Sequence, residues 1–192
     1  GVTGVIDALS FLKDVNLGSL DKPGDKVVVI GGGNVAVDSA GVLKRLGVKE
    51  VAIVYRRSKK EMPAFDEEIK EVLEEGVDLQ CLTAPMRIIS EAGKVVGLEC
   101  IKTELGPEDA SGRRRPLPIQ GSEFIYHCDA IIPAIGQKPD SSWSDQLPDL
   151  HWKNFDTIEI NTETGQTTIA KVFAGGDITR GPATVVEAIA DG

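Results

Sequence analysis

Apolar residues recur along the first half of this chain with two different periods. Val5, Ile6, Leu9 and Leu12 fall near helical spacing, so residues 1–20 read as a helical segment. After the turn cluster Asp21-Lys22-Pro23-Gly24-Asp25, the run Lys26-Val27-Val28-Val29-Ile30 is continuous and β-branched, as a strand buried on both faces is. Gly31-Gly32-Gly33 ends it. Asn34 is placed to cap a helix reaching about Leu46, with Ala36, Ala40 and Leu43 on one face and Gly47 as its stop. Val51 to Tyr55 predicts a second strand. Phe65, Ile69, Val72 and Leu73 predict a helix over about 64–75, and Val77 to Leu82 a third strand. The order β-α-β-α-β with short connections is that of a parallel, doubly wound sheet.

Beyond residue 82 the pattern changes. Arg87-Ile88-Ile89, Val95 to Thr103 and roughly Gly121 to His127 read as short strands of an antiparallel meander. Its turns are Glu91-Ala92-Gly93-Lys94 and the long polar stretch from Gly106 to Pro118. Ala130 to Gly136 reads as another buried strand ending in glycine. Residues 137–170 are loop-rich, with Pro139, Ser141-Ser142 and Pro148 and short strands near Thr157–Ile160 and Gln166–Ile169. Val172 to Asp177 reads as a strand running into a turn, followed by a helix from about Pro182.

Composition narrows the picture. The 192 residues carry a net charge of −9, which argues against a general nucleic-acid binder. No apolar run reaches the roughly 18 residues of a membrane helix. The start Gly1-Val2-Thr3-Gly4 shows no signal-peptide pattern, so a cytoplasmic protein is expected. Cys81, Cys100 and Cys128 form no C-x-x-C and read as buried reduced thiols, which excludes a thioredoxin-type redox pair. His127 and His151 lack ligand-spaced partners, so no metal site is expected. Glycine, at 21 residues, is in excess without any repeat, which points to local backbone roles.

The chemistry concentrates in Gly31-Gly32-Gly33-Asn34-Val35-Ala36, a G-x-G-x-x-A between a strand and a helix of one βαβ unit. Gly31 permits the tight turn, Gly33 lets a pyrophosphate approach the backbone, and Ala36 lets helix and strand pack closely. The helix amino end, at Asn34 and Val35, then offers free N–H groups to phosphates. An NAD site wants an acid about 20 residues on, near the end of the second strand. Here Arg56-Arg57-Ser58-Lys59-Lys60 follows that strand, and Glu50 lies at its wrong end. Cations at Arg56, Arg57 and Lys60 fit the 2′-phosphate of NADPH, each charge-assisted bond being worth about 1.5–3 kcal/mol. Arg113-Arg114-Arg115 sits in the long polar turn, away from any glycine loop, and reads as a solvated cluster.

Gly31–Ala36, Tyr55-Arg56-Arg57 with Met62-Pro63-Ala64, Ala134-Ile135-Gly136, and Val172–Asp177 with Thr184–Ala188 stand in the order found in the glutathione-reductase-like flavoproteins. Over nearly the whole chain the pattern resembles the small subunit of NADPH-dependent glutamate synthase and its relatives, the NADPH end of dihydropyrimidine dehydrogenase and ferredoxin-linked reductases among them. The resemblance implies a Rossmann-like parallel sheet with a β-meander, flanked by portions of an FAD domain. Residues 1–21 would be a connector or stub of that domain, 22–136 the NADPH domain, and 137–192 the carboxyl-terminal portion of the FAD domain. Ala134 and Gly136 would lie by the cofactor. Gly176 and Asp177 would meet the ribityl or phosphate side of FAD, and Thr184 and Val185 would face its pyrimidine. The chain has one G-x-G-x-x-A and lacks the cysteine-rich iron–sulfur segment of the small subunit, so it reads as a piece that holds no stable FAD by itself. The implied activity is hydride delivery from NADPH to FAD, with no catalytic acid or base. Iron–sulfur clusters, a large glutamate synthase subunit or a ferredoxin-like acceptor would carry the electrons on to glutamate formation. A ferredoxin-type or pyrimidine-reducing flavoprotein and a non-catalytic NADP(H)-binding module are the rival readings.

Overall fold

A computed structural model describes residues 2–108, 112–136, 140–153 and 157–192. They form two compact units, 1–135 and 136–192.

In the first unit, helix α1 (Ala8–Asn16) precedes strand β1 (Lys26–Ile30), helix α2 (Asn34–Arg45), β2 (Glu50–Val54), helix α3 (Asp66–Glu74) and β3 (Asp78–Gln80). Then follow β4 (Thr83–Glu91), β5 (Lys94–Glu108), β6 (Arg114–Pro118), β7 (Phe124–His127) and β8 (Ala130–Pro133). Strands β3, β2, β1 and β8 lie side by side in that order, all parallel. The valine run of β1 is central and buried, and it alternates. Val27 and Val29 join the helix-covered core, whereas Val28 joins a second core on the other face. That second face carries the antiparallel sheet through Val95, Leu98 and Cys100 of the β5 strand, where a doubly wound sheet would carry helices. Burying each such aliphatic side chain contributes about 1.5–3 kcal/mol.

The expected elements recur with physical adjustments. Helix α1 begins only at Ala8, because Asp7 caps it by accepting from the Ser10 N–H at 3.0 Å. Upstream, Val5 instead forms a parallel bridge to Ile131 along the open edge of β8. Phe11 is fully buried in the helix-side core. The third strand stops at Gln80 rather than Leu82, because Leu82 turns the backbone at φ +50°. Glu91 to Lys94 closes a hairpin with Ala92 at φ +47° and Gly93 at φ +77°, a pairing typical of two-residue turns.

The meander is corrected in one respect. Part of the polar stretch expected as a turn is strand: β5 runs on to Glu108, and Arg114–Pro118 returns against it as β6. Both β7 and β6 therefore pair with the long β5, as does β4. The prolines at 116 and 118 suit a strand that gives few N–H groups to a ladder. Cys100 and Cys128 are buried, and burial pushes their thiols up to about 11 and about 12. Cys81, partly buried, is raised for the same reason.

The second unit has little regular structure. Strands β9 (Trp152–Lys153) and β10 (Thr157–Ile158) pair antiparallel. Expected strands at 166–169 and 172–177 shrink to single bridges, Ile160 to Thr167 and Gln166 to Phe173. Helix α4 (Asp177–Arg180) and helix α5 (Val185–Asp191) follow, the latter starting after Pro182 rather than on it. Pro139 lies outside the described residues.

Candidate nucleotide-binding site

All four parallel strands end at one edge, and β1 is the strand from which the chain order runs both ways. In open α/β sheets that crevice is where ligands sit. Gly31 leaves β1 at φ +148°, and its N–H donates to the Val54 carbonyl at 3.1 Å. A Cβ on it would lie 2.4 Å from the Ala134 oxygen and 3.2 Å from the Ala36 Cβ. Gly32 is closed off by the Tyr55 ring at 2.5 Å. Gly33 differs: a Cβ there would meet nothing nearer than Pro63 at 3.8 Å. The fold itself thus requires glycine at 31 and 32, while the space beside Gly33 stays open.

Helix α2 starts one residue earlier than the sequence pattern implies. Its cap is Gly33, with extended backbone, and no side chain caps the end or places an acid in the first turn. Asn34 is the first helical residue, and its Oδ1 accepts from the Phe65 N–H at 3.2 Å. Ala36, buried completely, packs as expected, and Val35 is exposed. The first-turn amides therefore have no side-chain acceptor.

The cation-bearing loop is tied to the glycine loop. The Ala64 N–H donates to the Gly32 carbonyl at 3.2 Å, and the Tyr55 hydroxyl to the Glu61 carbonyl at 2.6 Å. Glu61 and Ser58 close a capping box around the short 3₁₀ turn Lys59–Glu61. The Ser58 hydroxyl holds the Glu61 carboxyl below the usual range, with a further contribution from the positive charge of Arg114. Arg56 and Lys60 are exposed and Arg57 is half-buried.

Arg114 corrects the sequence reading. Through β6 it comes to the same loop: the Arg57 Nε donates to the Arg114 carbonyl at 2.8 Å. The Arg114 guanidinium donates in turn to the carbonyls of Gly106 and Leu105 at 3.1 and 2.9 Å. Thr103, also unmarked by the sequence pattern, donates its hydroxyl to the Arg56 carbonyl at 2.8 Å. Neither contact has a local signature, since each joins residues some fifty positions apart.

At the end of β8, the Ala134 N–H donates to the Ile30 carbonyl at 2.7 Å, which sets this segment beside the glycine turn. Gly136 adopts φ +113°. In the second unit, Gly176 caps α4 at φ +72° and donates its N–H to Asp191 at 2.6 Å. Asp177 is exposed and accepts from the Ala183 N–H at 3.1 Å. Thr184 caps α5 in a reciprocal box with Glu187, whose carboxyl is lowered by the Thr184 N–H and hydroxyl. Val185 stands exposed beside it.

Comparison with known proteins bears on this arrangement. The model of the pyridine nucleotide-disulphide oxidoreductase family matches residues 1–192. The chain is 44% identical, over its whole length, to the beta subunit of the NADP(+)-dependent formate dehydrogenase of Moorella thermoacetica, spanning 27% of that protein. It is 38% identical to the glutamate synthase [NADPH] small chain of Escherichia coli, with 88% of this chain and 37% of that one aligned. The structure of Mycobacterium tuberculosis FprA in complex with NADPH superimposes with a TM-score of 0.76 at 20% identity, covering 99% of this chain and 56% of that one. That likeness establishes the expected parallel α/β fold. The chain thus spans about a third or less of the first curated relatives it matches.

Proposed function

The chain belongs to the pyridine nucleotide-disulphide oxidoreductase family, and from that premise we propose that it is the NADPH-binding part of an FAD-dependent oxidoreductase of the glutamate synthase small-subunit type. One observation carries the reading. The uncapped amino end of α2 opens onto free space at Gly33, and the loop bearing Arg56, Arg57 and Lys60 is bonded directly to that turn. A dinucleotide fits this pairing: the pyrophosphate would lie against Gly31, Gly33 and the amides of Asn34 and Val35, with Ala36, whose N–H donates to the Gly33 carbonyl at 2.9 Å, packed beneath the turn, and the 2′-phosphate against the cations. Ala134 and Gly136 would let the remainder of the cofactor approach the backbone.

When bound, the nicotinamide supplies a hydride and a flavin accepts it; the protein supplies binding and orientation. No side chain is assigned a proton-transfer role. Residues 22–136 are the nucleotide domain in this reading. Residues 1–21, whose Phe11 packs in the sheet core, serve as a connector, and residues 137–192 contribute to the flavin side. There Gly176, Asp177, Thr184 and Val185 would contact FAD. The onward acceptor would be an iron–sulfur centre serving a large subunit that makes glutamate from glutamine and 2-oxoglutarate.

A second reading shares the site and differs in the partner. The higher identity to the formate dehydrogenase subunit favours a parent that exchanges electrons between NADP(H) and a formate-oxidising partner. Among the described residues, no helix is long and apolar enough to cross a membrane. Stopped-flow mixing of the full-length flavoprotein with NADPH tests the core proposal. Rapid bleaching of the flavin by NADPH, and slow bleaching by NADH, is expected. A flavin that NADPH leaves oxidised overturns it.

A further inference from the structure

The residues that would select the 2′-phosphate do not stand on their own loop. Four hydrogen bonds, two between backbone groups, one from a hydroxyl and one from a guanidinium, tie residues 55–57 to the antiparallel sheet or its entry. The Thr83 N–H donates to the Tyr55 carbonyl at 3.0 Å, and the Leu82 N–H to the Arg57 carbonyl at 2.9 Å. The Thr103 hydroxyl donates to the Arg56 carbonyl, and the Arg57 Nε to the Arg114 carbonyl, each at 2.8 Å. Leu82 keeps its unfavourable positive φ while its own carbonyl accepts from the Thr103 N–H at 2.8 Å. Thr103 is only 3% exposed, a buried hydroxyl on a strand that otherwise fills a core. Residue by residue, the antiparallel sheet sets where the carbonyls and the guanidinium root of this loop lie.

We propose that Thr103 and Arg114 are positioning residues for nucleotide choice: Thr103 fixes the Arg56 backbone, and the Arg114 carbonyl, set in place by the β5–β6 ladder and by the Arg114 guanidinium on Gly106 and Leu105, fixes the Arg57 side chain. Anchored through Nε, Arg57 keeps both terminal nitrogens without a partner among the described residues. A guanidinium held this way loses less side-chain freedom when it meets an anion than a free one does. Among the described residues the glycine turn makes no hydrogen bond to β5 or β6, so the effect falls chiefly on the 2′-phosphate. The antiparallel sheet thereby acts as a specificity element for the parallel one.

This inference rests on the NADPH reading, and its test separates the two. Affinities for NADPH and NADH are measured by calorimetry on the full-length protein. A wild type that does not prefer NADPH overturns the reading and this inference with it. Given that preference, Thr103→Val, which keeps the β-branched shape and removes the hydroxyl, should weaken NADPH about fivefold to tenfold and leave NADH within twofold. Thr103→Ser should restore the wild-type ratio. Should Thr103→Val fail to fold, Arg114→Ala on the exposed strand decides, since it removes the two guanidinium bonds that fix the 114 end of β6 against Gly106 and Leu105 and so loosens the carbonyl that holds Arg57, while the backbone ladder keeps the sheet intact; NADPH should again weaken selectively. An unchanged NADPH:NADH ratio in the folded variants, or equal weakening of both nucleotides, overturns the proposal.

Discussion

Helices α2 and α5 both follow a glycine-bearing turn, yet they are held in opposite ways. Helix α2 buries Ala36, Val37, Ser39, Ala40, Gly41 and Leu43, and no side chain caps its amino end. Helix α5 has a complete capping box between Thr184 and Glu187 and buries none of its residues. Val185, Val186 and Ile189 are 73–76% exposed. Local hydrogen bonding can start a helix, but packing supplies most of its stability. Where packing suffices, the amino end can be left open, and an open end is available to a ligand. At α5 the Thr184 hydroxyl and the Glu187 carboxylate hold the first turn locally by engaging the Glu187 and Thr184 N–H groups.

The sharpest way to break this comparison is at the turn before α2. Gly31→Ala would drive a methyl group into the Ala134 carbonyl at a backbone angle L-residues avoid. It should destabilise the protein by about 3 kcal/mol or more, read by thermal or denaturant unfolding. A variant of unaltered stability would mean that the β1–β8 crevice is looser than described. Two residues on, the outcome should reverse. Gly33→Val places its Cβ at ordinary contact distance from Pro63, 3.8 Å, in an extended conformation that valine accepts. Stability should change by less than about 1 kcal/mol, because no contact is lost. Affinity for NADPH and NADH should fall together, by about a hundredfold or more, since the side chain fills the phosphate's approach. Retained binding of both would reduce the loop to a plain connection. The smallest effect is expected on α5. Ile189→Ala in the 192-residue chain should shift unfolding by less than about 0.5 kcal/mol, in keeping with an exposed position. A loss above about 2 kcal/mol would show instead that this face is packed.

The helices, the parallel strands and the glycine motif are legible in the sequence because each depends on neighbours within a few residues. Val27-Val28-Val29 alternates between two cores whatever lies beyond them, and Ala36, Ala40 and Leu43 mark one helix face by spacing alone. Asn34 shows where local reading ends. By type it is a good cap, but its Oδ1 is taken by Phe65, thirty-one residues away, and Gly33 caps the helix instead. Similarly, Arg113-Arg114-Arg115 looks like a solvated turn until the long β5 strand carries its partner back to Arg57.

The amino-acid sequence by itself determined the α/β unit, the glycine-rich strand-to-helix turn, and the cations after β2. Those follow from periodicity, glycine's missing Cβ and charge. Only the tertiary structure decided which glycine the fold consumes and which stays open, and that the antiparallel sheet braces the Arg56–Arg57 loop. The reason is physical: whether a Cβ clashes, or a hydroxyl finds a carbonyl, depends on strands brought together from distant parts of the chain, and no local preference encodes that distance.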